Sequence, residues 1–328
     1  MKLSKDIIYG IIISILIILL IVGYNINKKN SYSKRNEISN LNLQIKVKNK
    51  QLANIQKKFL NSKSNINDFI NEDYIKFSKV FENKKLENIN NFELSKYKTE
   101  DVLFGGNYRA LASAYIDFYN DDTKLILVTS DGIFATSDLN NLNKFNKIKS
   151  NFMEFVNYEK FYTHTQYGVK DILVNDNDIY VSLISQLDKN CYNFRLLKSK
   201  INQKKLTFKI FYEIPKCVKE DNDHQYYAGQ GAGGRMYIRN NSILLTTGEF
   251  RNRPLAQNKK SFYGKILEIN LDSKKAEVVS FGHRNAQGIY YSKSYDFIIS
   301  TEHGPKGGDE ININHKPFNM IKNFGWPI

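Results

Sequence analysis

Residues 281–310 read "FGHRNAQGIYYSKSYDFIISTEHGPKGGDE", and they place several groups able to bind a ligand within one short stretch. Arg284 offers a planar fork of donors that matches a carboxylate. Asn285 adds one donor group and one acceptor. The Gly304-Pro305 turn leaves backbone carbonyls exposed, and carbonyls of that kind suit a hard cation such as calcium. Lys306, Asp309 and Glu310 stand next to them. Either motif alone is also what a surface turn with charged residues looks like. The segment between them, 288–302, reads as a strand hairpin, so the two motifs lie at the same end of one element.

That hairpin has counterparts upstream. From about Tyr97 short runs of β-formers alternate with turn residues: "KLILVTSDGIFATS", "DILVNDNDIYVSLIS" and "RMYIRNNSILLTTGE" each give strand, turn, strand. Turn centres fall near residues 131, 177, 241 and 295, and one four-stranded propeller blade takes about 40–50 residues plus insertions. No long amphipathic helix interrupts the strands, which argues against a parallel α/β sheet. The expectation is an all-β fold of β-propeller type over 97–328, with a β-sandwich as the alternative. In a propeller, loops at one end converge on the axis, where a ligand would bind.

The chain has two cysteines, Cys191 and Cys217. They flank the hairpin "NFRLLKSKINQKKLTFKIFYEI". A turn at residues 202–204 sets residue 191 against residues 215–217, the proximity a disulfide needs. The alternative is two separate buried thiols. A disulfide would place the domain outside the cytoplasm.

Composition bounds the rest. Hydrophobic residues make up 41% and aromatics 13%, enough for a real core. The net charge is +15, and residues 1–100 supply most of it, with 18 Lys and Arg against 9 Asp and Glu. The lysines are scattered among Asn and Ser with no basic-aromatic patch, which argues against nucleic-acid binding. Residues 7–23, "IIYGIIISILIILLIVG", carry no charge and are about long enough to cross a bilayer core. No small-residue cleavage site follows, so an uncleaved membrane anchor over 1–29 is expected, with a cleaved signal as the alternative; a disulfide would put the later domain on the periplasmic or extracytoplasmic side. Residues 30–96 read as a helical stalk. Ile38, Leu41, Ile45, Leu52, Ile55 and Phe59 follow heptad spacing, with Lys48 breaking one position, which leaves a homodimer through the stalk open. A second short helix is expected around Phe69, Ile70, Ile75, Phe77, Val80 and Phe81.

Six motifs occur in order: "GGRMYI" (233–238), "TTGEFRNRPLAQ" (246–257), "GKILEINLD" (264–272), "GHRNAQG" (282–288), "EHGPKGGDEIN" (302–312) and "NFGWP" (323–327). Together they resemble the soluble quinoprotein glucose/sorbosone (aldose) dehydrogenases. The resemblance implies a six-bladed propeller with pyrroloquinoline quinone (PQQ) and calcium at its axis, and oxidation of a sugar C1 hydroxyl by hydride transfer to the quinone. Arg284 and Asn285 match the pair that contacts the quinone. Gly304 and Pro305 match the positions whose carbonyls bind calcium. Glu249 stands where the family has an acidic residue that orients the catalytic histidine. That histidine belongs in His-x-Gly-Gly-Arg, and here Gly231 takes its place. His224, seven residues earlier, reaches the site only if the intervening loop folds back; otherwise it is a surface histidine. The resemblance also implies about two more blades beyond Ile328, so the propeller is expected to be incomplete here, at about four. A sugar substrate, an electron acceptor left undefined, and the membrane are the expected partners. A non-catalytic propeller of the same descent, binding a glycan or a protein, is the alternative that Gly231 favours.

Overall fold

The computed structural model describes residues 73–85, 93–99, 114–129, 132–156, 168–188, 190–219, 231–318 and 320–328. The chain divides into two units, Met1–Asp68 and Phe69–Ile328. The first lies outside the described residues, and with it the expected anchor and the heptads from Ile38 to Phe59. Among the described residues no helix is long and apolar enough to cross a membrane.

Two strands come first, β1 (Tyr74–Lys85) and β2 (Glu93–Thr99). Four antiparallel sheets then follow one another. The first holds β3 (Ala114–Tyr119), β4 (Lys124–Thr129), β5 (Phe134–Asp138) and β6 (Lys144–Ser150). The second holds β7 (Val169–Asn175), β8 (Asp178–Asp188) and β9 (Cys191–Lys200). After β10 (Lys205–Leu206), which pairs with β6, it is completed by β11 (Lys209–Glu213) and β12 (Val218–Lys219). The third holds β13 (Gly233–Arg239), β14 (Ser242–Thr247), β15 (Lys265–Asn270) and β16 (Ala276–Phe281). The fourth holds β17 (Ala286–Ser292), β18 (Phe297–Glu302) and β19 (Glu310–His315). A last short strand, β20 (Lys322–Asn323), returns to pair with β16 in parallel.

The first strands of successive sheets, β3, β7, β13 and β17, lie side by side. This is the arrangement of propeller blades, with the innermost strands around an axis. The turns expected near 177, 241 and 295 all close β-hairpins, and β4 and β5 pair across the turn expected near 131. Side chains also tie successive sheets together. Asp117 Oδ2 accepts from the Val174 N–H at 2.6 Å, Asp171 Oδ2 accepts from the Met236 N–H at 2.7 Å, and Thr246 Oγ1 donates to the Ala286 carbonyl at 2.8 Å.

The cores lie between the sheets. In β14, Ile243 and Leu245 join the cluster shared with the second sheet, while Leu244 points the other way, toward Tyr291 and Ile298 of the fourth. In β8, Ile179, Val181 and Leu183 meet the first sheet, and Tyr180 and Ile184 meet the third. A strand alternates its side chains between two faces. When both faces are buried, alternation disappears from the sequence and an unbroken apolar run remains.

One expectation is corrected. The residues read as a second short helix, with Ile75, Phe77, Val80 and Phe81, form β1 instead. β1 pairs antiparallel with the outer strand β6, Ile75 opposite Phe145, and then with β2. The compact unit therefore begins near Phe69, not near Tyr97. The cause is tertiary. The outer edge of β6 offers unpaired backbone groups, and pairing with it lets Ile75 bury completely against Leu125, Leu127 and Phe145. Ile75 and Phe77, one β-branched and one aromatic, suit such a strand.

Cys191 and Cys217 form a disulfide with Cα atoms 5.4 Å apart. The register differs from the simple hairpin count, because Cys191 pairs with Lys219. An irregularity between Ile210 and Tyr212 and the break between β11 and β12 push the returning strand along. The disulfide accordingly reaches diagonally to Cys217.

Candidate functional site

Four segments meet at one end of the third and fourth sheets: the loop after β14 (residues 248–253), the β16–β17 loop (282–285), the β18–β19 loop (303–309) and the residues after β20 (324–328). The strand register requires this. β14 ends opposite the start of β15, β15 starts opposite the end of β16, and β17 starts where β18 ends. The two motifs of 281–310 thus stand side by side, as their shared hairpin predicts.

Backbone bonds lock these loops to one another. The Glu249 N–H donates to the Arg284 carbonyl at 3.0 Å, His303 N–H to the Asn285 carbonyl at 3.1 Å, and Trp326 N–H to the Gly282 carbonyl at 3.0 Å. Gln257, at the end of a single-turn helix α1 (Pro254–Gln257), donates to the Trp326 carbonyl at 2.6 Å. Lys265 is fully buried, and its Nζ donates to the carbonyls of Leu255, Ala256 and Tyr263 at 2.8–2.9 Å, which holds the end of α1 in place. Gly248 has no room for a side chain, since a Cβ there would strike the Gly231 carbonyl. Phe250 and Arg251 both adopt left-handed backbone, at φ 51 and 60°, a conformation that costs about 1–3 kcal/mol each in non-glycine residues and that clusters at functional sites.

Arg284 is half-buried. Its Nη1 donates to the carbonyls of His303 and Gly304 at 2.8 and 2.9 Å. Its guanidinium also lies 5.3 Å from the Trp326 ring centre, and that of Arg253 lies 5.6 Å from the same ring. Both are within cation–π range. The Trp326 indole N–H is buried without a hydrogen-bond partner. Asn285 is buried, and its Oδ1 accepts from the Gly233 N–H at 3.0 Å, so part of its work is to anchor the start of β13. Pro305 contributes its carbonyl to the Gly308 N–H at 2.7 Å, closing the turn, and Asp309 Oδ1 accepts from the Gly304 N–H at 3.0 Å.

Two buried glutamates differ sharply. Glu302 is saturated: its carboxylate accepts from the Arg284 N–H at 2.9 Å and Asn312 Nδ2 at 2.7 Å, and it pairs with the fully buried His283 at 3.3 Å. Burial alone would raise its pKa, but the hydrogen bonds and charge of His283 and the backbone donors of Arg284 and Asn285 hold it below the ordinary 4.5. Glu249 is 3% exposed and its Oε2 has no partner. Burial pushes it up to about 7, against the pull of Arg284, Arg253 and Arg251.

Gly231 lies next to this carboxylate. A Cβ placed on it would sit 3.6 Å from Glu249 Oε1 and 3.9 Å from the Arg284 carbonyl, so a side chain at this position would point at both. His224 lies outside the described residues. Among the described residues no group of three His, Cys, Asp or Glu side chains could hold a metal ion. The carbonyls of His303 and Gly304 nevertheless converge on one cationic nitrogen, and that donor set also fits a hard cation. Two guanidinium groups around an indole with a free buried N–H fit a planar, carboxylate-bearing ligand such as the quinone.

Sequence reasoning assigned no role to Arg253, Trp326, His283 or Glu302, although each sits in a quoted motif or beside one. A buried acid flanked by glycine-rich loops was the available signal for Glu302. Nothing local pairs Arg253 with Trp326.

The family model described as Glucose / Sorbosone dehydrogenase matches residues 118–328. Protein slr1608 of Synechocystis sp. is 28% identical over 202 residues, covering 53% of this chain and 46% of that protein. The aldose sugar dehydrogenase YliI of Escherichia coli K12 is 34% identical over 133 residues, covering 36% of this chain and 32% of that protein. The chain thus spans a third to a half of the length of these relatives. Among solved structures, a glucose dehydrogenase superposes with a TM-score of 0.53 at 23% identity, covering 66% of this chain and 64% of that one. The soluble aldose sugar dehydrogenase of Escherichia coli in its apo form gives 0.52 at 22%, covering 66% and 63%. These two likenesses show the fold.

Proposed function

Since the chain belongs to the Glucose / Sorbosone dehydrogenase family, we propose that the whole protein is an aldose sugar dehydrogenase that uses PQQ with calcium. The observation that carries this reading is the buried Trp326 N–H without an acceptor, on a ring that the guanidinium groups of Arg253 and Arg284 both approach. Arg284 and Arg253 would hold the carboxylates of the quinone, and Trp326 would donate to it and stack against it. The carbonyls of Gly304 and Pro305 would hold calcium. When bound, the quinone supplies the acceptor that takes hydride from the sugar carbon. The protein's own part is to orient the sugar, exclude water and take the hydroxyl proton.

The same proposal places the protein on a membrane through residues 7–23, with the propeller on the extracytoplasmic side. The disulfide between Cys191 and Cys217 supports that side, because such bonds persist in oxidising compartments. A second reading, a non-catalytic propeller that binds a glycan or protein partner, is favoured by glycine at position 231.

Trp326 is the single tryptophan of the chain, so its fluorescence reports on this site alone. Adding PQQ with calcium to the full chain is expected to quench it saturably, and Arg284→Ala is expected to weaken that binding roughly 10- to 100-fold by removing a charge-assisted contact. Aldose-dependent dye reduction would then separate the two readings: quenching with turnover supports the dehydrogenase, and quenching without turnover supports the binding protein. Absence of quenching overturns the dehydrogenase reading and leaves the glycan- or protein-binding one.

A further inference from the structure

Glu249 and Glu302 belong to the same site, and their environments separate their roles. A structural buried acid has its lone pairs matched by donors, as Glu302 has. Glu249 is equally buried but leaves Oε2 without a partner. Its Oε1 lies 3.6 Å from where a Cβ on Gly231 would sit, and Gly231, half-exposed, contributes no side chain there. The main chain that carries the carboxylate is also held firmly. Its own N–H is bound to the Arg284 carbonyl, the Phe250 N–H to the Gly231 carbonyl at 3.1 Å, and the Asn252 N–H to the Glu249 carbonyl at 2.8 Å.

We propose that Glu249 itself accepts the proton of the sugar hydroxyl. This rests on the dehydrogenase reading above. In that step the hydroxyl O–H bond breaks and its proton goes to the Glu249 carboxylate. The electron pair of that bond becomes the second C–O bond of the product. The C–H bond breaks with its pair leaving as hydride to an ortho-quinone acceptor, which is reduced as the sugar is oxidised. Glu249, now neutral, returns its proton to water.

The charged groups facing Glu249 are Arg251 and Arg253 from its own loop and Arg284 from the β16–β17 loop. They favour the ionised form, burial opposes it, and the balance near 7 gives a carboxylate basic enough to take a proton at neutral pH.

The test uses the full chain with PQQ and calcium, an aldose panel and a reducible dye. Glu249→Gln keeps the shape of the side chain and is expected to lower kcat by about 10²- to 10⁴-fold while leaving KM and Trp326 quenching close to the parent protein. The parent is expected to lose activity below pH 7, and the residual rate of Glu249→Gln is expected to show no such acidic limb. A second readout needs no turnover. The infrared carboxylic-acid band of the cofactor-free protein should contain a component lost between pH 6 and 8 and missing from Glu249→Gln. Full activity in Glu249→Gln, or no such infrared component, overturns the proposal and leaves the dehydrogenase reading standing. Quenching without turnover in the parent overturns the proposal in favour of the binding protein. No quenching in the parent overturns the reading beneath it as well.

Discussion

Glu302→Ala is expected to destabilise the folded chain by about 3–5 kcal/mol, the usual cost of removing one partner from a buried, hydrogen-bonded charged pair. The residue receives bonds from His283, Asn312 and the Arg284 backbone, and both it and His283 are buried. Alanine would strand an imidazole, an amide and a main-chain N–H at once. Glu302→Gln retains the size and one acceptor, so its loss is expected to be smaller. Urea unfolding at pH 7 measures both. The pH dependence has a definite sign. The folded pKa of Glu302 lies below its ordinary 4.5, so its contribution is present above 4.5 and lost as pH falls through the folded value. The stability gap between parent and Glu302→Ala should therefore narrow in acid. A gap that stays constant down to pH 2 would show that Glu302 is not held as a carboxylate. The functional consequence follows from the same contacts. Glu302 positions the backbone of Arg284, so Glu302→Gln should also weaken quenching of Trp326 by the quinone.

Removing the disulfide is the second large effect. Cys191 and Cys217 are separated by 26 positions, and closing a loop of that length restricts the unfolded chain enough to be worth about 3.5 kcal/mol. The double variant Cys191→Ala, Cys217→Ala is expected to lose that amount in urea or guanidinium unfolding, and reduction of the parent should give a similar loss. The effect should extend to the site. The Tyr263 hydroxyl donates to the Lys216 carbonyl at 2.5 Å, tying the segment next to Cys217 to the loop ahead of β15, and Lys265 in turn holds α1 beside Glu249. Unchanged stability after both treatments would mean that the unfolded chain is already held compact around these residues.

Burial separates Glu249 from Glu302 in one further respect. Glu249 has its folded pKa raised, to about 7. Its linkage to stability runs opposite to that of Glu302: whatever it contributes is present below 4.5 and lost as pH rises through 7. An acid that resists ionisation beside three arginines is a strained arrangement, and such strain is common where a site does chemistry.

How much of this was written in the local sequence can be judged residue by residue. The hairpins around residues 177, 241 and 295 were legible because turn chemistry and β-forming runs act over a few residues. The nearness of Arg284 to Gly304 was legible for the same reason, since a single hairpin separates them. The disulfide partners could be named from hairpin geometry, though their register could not, because a bulge near Tyr212 leaves no clear local mark. The strand β1 was not legible: its residues suit a strand or an amphipathic helix, and the free edge of β6, about seventy residues away, decides between them. Nor were the environments of the two glutamates. Gln257 meets Trp326 across 69 positions, Asn285 meets Gly233 across 52, and Glu249 faces a glycine eighteen residues before it. Sequence by itself determined the hairpins around residues 177, 241 and 295 and the end of the fold at which the ligand-binding groups collect. Tertiary structure alone decided which acid is saturated and which is left without a partner, because desolvation and hydrogen bonding depend on neighbours that only the packing of one blade against the next brings together.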